Sequence, residues 1–111
     1  MALPSSLFQS VPGLQQLRLD QNELSVVSSR LFHPLQSMVV LDLSHNLLQT
    51  QCDTCLSKKS FQGLTSLIVL NLSKNQISSL QPTMFQDLTS LKSLDLSENN
   101  LPRIAEGKKS K

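Results

Sequence analysis

The chain repeats itself. Four copies of one phrase stand in its 111 residues: LQQLRLDQNEL from Leu14, MVVLDLSHNLL from Met38, LIVLNLSKNQI from Leu67 and LKSLDLSENNL from Leu91. The asparagines Asn22, Asn46, Asn75 and Asn99 follow at spacings of 24, 29 and 24 residues. A second ladder runs through Phe8, Phe32, Phe61 and Phe85, each six residues before a phrase begins. A third holds Leu3, Val27, Leu56, Leu80 and Ile104. Periods of this length mean a stacked architecture, in which each unit buries its apolar face only against its neighbours.

Inside each phrase the leucines alternate with polar residues. Leu17/Leu19, Leu41/Leu43, Leu70/Leu72 and Leu94/Leu96 show the period of two that marks a strand with one buried face. Strands this short do not stand alone; four stacked in parallel, joined by return loops, bury a continuous leucine core. The Asn ladder sits where the chain leaves each strand, and an amide that both donates and accepts can satisfy turn backbone in its own coil and the next. The Phe ladder fills the opposite, convex wall. Outward strand positions form rows across a concave face: Gln16, Val40, Val69, Ser93; then Arg18, Asp42, Asn71, Asp95; then Asp20, Ser44, Ser73, Ser97. Gln21, His45, Lys74 and Glu98 begin its ascending edge, where Leu47 projects outward because Leu48 takes the core slot. Arg18, His45, Leu47, Lys74 and Glu98 are therefore the candidate ligand contacts.

The pattern LxxLxLxxNxL followed by a fixed Phe resembles the 24-residue extracellular leucine-rich repeat. The phrases LDLSHN, LNLSKN and LDLSEN, with FQGLTSL and FQDLTSL before the later repeats, are similar to Toll-like receptor ectodomains. That resemblance implies a leucine-rich-repeat solenoid, a right-handed superhelix of the α/β type. Short parallel strands would line its concave face and irregular or short helical turns its convex face. Repeats would span residues 1–104 without a capping module, and residues 105–111 would form a disordered basic tail. The implied role is an extracellular or lumenal binding scaffold, part of a pattern-recognition receptor of innate immunity and inflammatory response. Its partners would be a protein, a second receptor copy or a microbial ligand. The alternative is another extracellular leucine-rich adhesion or matrix protein. No cofactor is implied.

One repeat departs from the rule. The second is five residues too long, and the excess lies in QTQCDTC between Leu48 and Leu56, with both cysteines of the chain. Insertions in repeat proteins map to loops, often on the functional face. Nucleic-acid-sensing Toll-like ectodomains carry cysteine-bearing insertions that this one resembles. Four readings compete for Cys52 and Cys55: a local disulfide, as suits an extracellular repeat; free thiols or pairing elsewhere; a redox CxxC, which should open a helix after a strand; or zinc, with His33 and His45 as the only histidines to help. Asn71-Leu72-Ser73 is a glycosylation sequon on the concave strand.

Composition narrows the classes further. The formal charge is +2, and the last seven residues carry all of it, with Lys108, Lys109 and Lys111 against Glu106. The remainder is balanced, so the clustered basic face of a nucleic-acid binder is not expected. No apolar run approaches the roughly 18 residues of a membrane-spanning helix. The start, MALPSSLFQSVPG, lacks the basic and apolar stretches of a signal peptide. There is no phosphate loop, no HExxH and no GxSxG, so catalysis is not expected.

Overall fold

The computed structural model describes residues 1–52 and 55–102. Four strands, β1 (Gln16–Arg18), β2 (Val40–Asp42), β3 (Val69–Asn71) and β4 (Ser93–Asp95), pair in parallel in chain order. Gln16, Val40, Val69 and Ser93 stand opposite one another, as do Arg18, Asp42, Asn71 and Asp95. These are the rows that the repeat predicts. Parallel neighbours need a long crossover, and here each crossover is the remainder of a coil.

The returns owe their shape to apolar residues three apart. In the second coil Phe32, Leu35 and Met38 are all fully buried. The N–H of Leu31 donates to the carbonyl of Ser28, Leu35 to Phe32, and Met38 to Leu35. The same three turns recur from Pro4, Ser57 and Gln81, ending at Leu14, Leu67 and Leu91. Hydrogen bonds to the third residue back eclipse side chains at that spacing, so in the inner coils each turn aims one side chain into the core, apolar everywhere but at Ser60. Only Lys58–Phe61 is regular enough among the described residues to form a 3-10 helix. The rings of Phe8 and Phe32 stack at 6.2 Å, and those of Phe61 and Phe85 meet at 6.0 Å.

The asparagine ladder joins one coil to the next. Asn75 donates from Nδ2 to the carbonyls of Leu72 and Ser73, both 3.1 Å, in its own coil and to Leu43, 3.0 Å, in the coil before. Its Oδ1 accepts the N–H of Leu48 at 2.9 Å. Asn46 does the same with Leu43, Ser44, Leu19 and Leu24, and Asn99 with Leu96, Ser97, Leu72 and Ile77. Asn22, in the first coil, bonds Leu19 and Asp20 of its own coil.

The edges of the stack depart from the simple alternation. Leu94, expected in a core slot, is 37% exposed because β4 has no described strand on its far side. Leu17, Leu19 and Leu96 are half-buried for the same reason, against full burial of Leu41, Leu43, Leu70 and Leu72. Ile104 and the expected tail at 105–111 lie outside the described residues.

Asn75→Ala strands the buried Leu48 N–H, a loss of about 1–3 kcal/mol, and takes one donor each from the carbonyls of Leu43, Leu72 and Ser73, which keep Asn46, Asn99 and the His45 N–H. It is expected to lower the stability read from urea denaturation by at least about 2 kcal/mol. Asn22→Ala, at an exposed site with local bonds only, is expected to cost less than half as much.

Candidate binding surface

The concave face is built from side chains that turn back on their own backbone. Asp42, Asn71 and Asp95 close each strand, and an Oδ1 of each accepts the N–H two residues on, from Ser44, Ser73 and Ser97, at 2.9–3.0 Å. This turn ends the strand after three residues and swings the next residue inward. Ser44 and Ser73, expected on the outward face, are therefore buried; Ser97, at the sheet edge, stays exposed. The surface row is the carboxylate and amide row itself, flanked by half-buried Val40 and Val69. At Asp95 the Ser97 hydroxyl donates as well, at 2.7 Å. That bond, then the Ser97 N–H, holds the Asp95 carboxyl below its ordinary value of 3.8, against a small opposing effect of burial.

The ascending edge is more constrained than its residue types suggest. Gln21, His45, Lys74 and Glu98 all take the left-handed conformation, with φ between 55° and 59°. Side chains with a Cβ pay roughly 1–2 kcal/mol there. What holds them is the ladder, which continues past the strands: their N–H groups reach the next coil, Gln21 to the Ser44 carbonyl, His45 to Ser73 and Lys74 to Ser97, at 2.9–3.0 Å. His45, Lys74 and Glu98 thus stand exposed in one row at the coil spacing of roughly 4.8 Å. Leu47 lies beside that row, 42% exposed as expected. Arg18 belongs to a different line, on β1 in register with Asp42.

The insertion makes a second surface. Cys52 and Cys55 form a disulfide. The Thr50 hydroxyl donates to the Ser79 carbonyl at 2.7 Å, tying the start of the loop to the following coil. The Val27 N–H donates to the Cys55 carbonyl at 2.7 Å, tying its end to the preceding one. Between loop and third coil opens a cleft of about 320 Å³, lined by Thr50, Cys52, Leu56, Ser57, Lys58, Lys59, Ser79, Gln81 and Met84. No repeat pattern announces this cleft, since one of its walls is the insertion, which has no counterpart in the other coils. Among the described residues no three His, Cys, Asp or Glu side chains gather as a metal site would require.

The leucine-rich repeat family model matches residues 2–48 and 54–101. A zebrafish (Danio rerio) protein, leucine-rich repeat-containing protein 3B, is 46% identical over 39 residues, which are 35% of this chain and 15% of that protein. A chain in the Toll–Spatzle complex, described as a molecular hub in Drosophila development and innate immunity, is 27% identical over 90% of this chain at a TM-score of 0.81. A chain of the mouse RP105/MD-1 complex is 27% identical over 93% at 0.73, and the APL1 leucine-rich repeat domain 28% identical over 93% at 0.81. This chain spans 13%, 16% and 26% of those three solved chains, respectively.

Two outcomes follow from the geometry. Lys74→Gly is expected to hold or raise stability, whereas Lys74→Val, which loses the same charge, is expected to cost about 1–2 kcal/mol by urea denaturation. Ser97→Ala is expected to raise the Asp95 carboxyl toward its ordinary value in an NMR pH titration. Because the folded value is depressed, the stabilisation from Asp95 is present above the ordinary value and is lost as pH falls through the folded one.

Proposed function

We propose that this chain, which belongs to the leucine-rich repeat family, acts by display: its stacked coils hold exposed side chains in fixed rows for a protein partner. We assign it to an extracellular or lumenal setting, as a stretch of a pattern-recognition receptor ectodomain of the Toll-like kind. The observation that carries this reading is the likeness, over 90% of the chain, to the Toll–Spatzle structure. The Cys52–Cys55 disulfide agrees with an oxidising compartment. Toll and RP105 stand in those structures in complex with Spatzle and MD-1, and a protein partner or a second receptor copy is the corresponding partner here. A microbial ligand and a part in the inflammatory response would follow from the receptor role. His45, Leu47, Lys74 and Glu98 are the edge offered to the partner, with Arg18 on the adjoining face.

The alternative is a stretch of another extracellular leucine-rich adhesion or matrix protein, since the repeat is shared with proteins such as the zebrafish leucine-rich repeat-containing protein 3B. A cytoplasmic signalling domain in the parent gene would separate the two. Leucine-rich repeats generally serve as interaction scaffolds, and no catalytic role is proposed.

In the same compartment Asn71 is the glycan acceptor. Its Oδ1 is taken by the Ser73 N–H, while its Nδ2 has no acceptor among the described residues. A glycan on Nδ2 would occupy the middle of the concave face and leave the edge and the loop side open. The test is intact mass of the chain secreted from eukaryotic cells behind an added leader. A two-hydrogen deficit with both thiols blocked and a glycan lost in Ser73→Ala are expected. The Ser73 hydroxyl makes no hydrogen bond among the described residues, so that variant is expected to fold as the parent does. Free thiols in the secreted, folded chain would sink the extracellular reading.

A further inference from the structure

The repeat offers its own control for every slot, and three departures from it meet in one place. The first is the lengthened, disulfide-closed loop. The second is Lys58-Lys59, where sister coils carry Ser5-Ser6, Ser29-Arg30 and Pro82-Thr83. The third is Ser60, in a slot held elsewhere by Leu7, Leu31 and Met84. Ser60 is buried and its hydroxyl donates to the Val27 carbonyl at 2.7 Å while accepting the Ser57 N–H at 3.1 Å. A hydrophobic slot has thus been converted into a latch that fixes the turn carrying the two lysines. The Ser57 hydroxyl accepts the Lys59 N–H at 3.2 Å and completes it.

What the latch presents is the cleft. Its lower wall holds the buried side chains of Leu56 and Met84, its flanks the hydroxyls of Thr50, Ser57 and Ser79 and the amide of Gln81, and its rim the exposed Lys58 and Lys59. Neither ammonium has an ion-pair partner among the described residues. A shallower depression of about 200 Å³ shares both lysines and continues past Gln62 and Gln86. The acid there, Asp87, already accepts the Gly63 N–H through Oδ2 at 3.0 Å.

We infer that this cleft is a docking site for an acidic, partly apolar linear segment of a protein partner. It rests on the scaffold reading and names the chemistry of the partner. The apolar wall takes one aliphatic side chain, the Ser57 hydroxyl can donate to a peptide carbonyl and the Gln81 amide can meet a peptide N–H or carbonyl, and the paired ammoniums meet carboxylates. Charge complementarity selects an acidic occupant, since among the described residues the lining of the main cleft carries two cations, Lys58 and Lys59, and no anion. A nucleic acid fits less well: among the described residues no aromatic ring lines the cleft for bases to stack upon.

The test uses the full, oxidised chain and a fluorescein-labelled peptide of sequence Glu-Leu-Glu-Glu-Leu-Glu, followed by anisotropy, with circular dichroism as the check of folding. Saturable binding is expected, weakened roughly tenfold in Lys58→Glu/Lys59→Glu and roughly tenfold between about 50 mM and about 300 mM salt. Lys58→Ala/Lys59→Ala should weaken it less. Lys92→Glu, a charge reversal at an exposed site just ahead of β4, should leave it unchanged. Equal binding by the Lys58/Lys59 variants, an equal loss in Lys92→Glu, or tighter binding of a hexathymidylate would overturn the inference. So would no saturation by the folded, oxidised chain. That last result leaves the scaffold reading standing, because a partner held by the ascending edge would not report in this assay.

Discussion

Everything in this molecule hangs on an amide that is counted twice. Asn46, Asn75 and Asn99 each satisfy a turn in their own coil and a carbonyl and an N–H in the coil before it. A leucine core alone is indifferent to sliding by small amounts, because apolar contacts carry little direction. A buried amide with three acceptors and one donor around it is not. The ladder therefore fixes register coil by coil, and the three-residue strands inherit it. Their pairing is the consequence of the stack more than its cause, since strands of that length would not hold together in isolation.

The same device explains the backbone beyond the strands. Past every strand, including β1, where Arg18 stands in the slot of Asp42, Asn71 and Asp95, the residue before the ladder Asn takes a left-handed turn that delivers the Asn to its place. Strain at Gln21, His45, Lys74 and Glu98 is thus set against the hydrogen bonds on either side of it. Stiff, exposed positions of this kind suit recognition, because little side-chain base movement is left to lose on binding. The sequon at Asn71 has a structural reading too: an acceptor followed two residues later by a serine whose N–H it takes closes three of the four strands, and Asp42-Ser44 and Asp95-Ser97 do so without a sequon.

The periodic part of the fold was legible because periodicity is a statement about shared neighbours. The rows Gln16–Ser93 and Arg18–Asp95, the Asn and Phe ladders and the bulge after Leu48 all follow from aligning the chain with itself, and the strand register matches those rows residue for residue. Burial of Ser44 and Ser73 was not, since alternation assumes that a strand continues, and the Asp and Asn side chains end it. Nor was the left-handed edge, because Gln, His, Lys and Glu give no glycine-like sign of it. The exposure of Leu94 depends on the coil's place in the stack, which no single repeat records.

The contact surfaces divide along the same line. His45, Lys74 and Glu98 were found because they occupy one repeat slot, and the structure does bring them into one row. Arg18 shares no such slot with them and lies on a neighbouring line. The cleft escaped because it is made by exceptions: a loop in one coil, a lysine pair ahead of a Phe, and Ser79, Gln81 and Met84 from the next coil. In a repeat protein the regular positions are accountable to the stack, and each must match its sisters for the core to close. Departures are free of that demand and cost stability unless something retains them. Ser60 is the most telling case, because it exchanges an apolar contact for two hydrogen bonds whose effect is to hold Lys58 and Lys59 in place. Nothing in the stack requires those lysines; recognition of an acidic partner would.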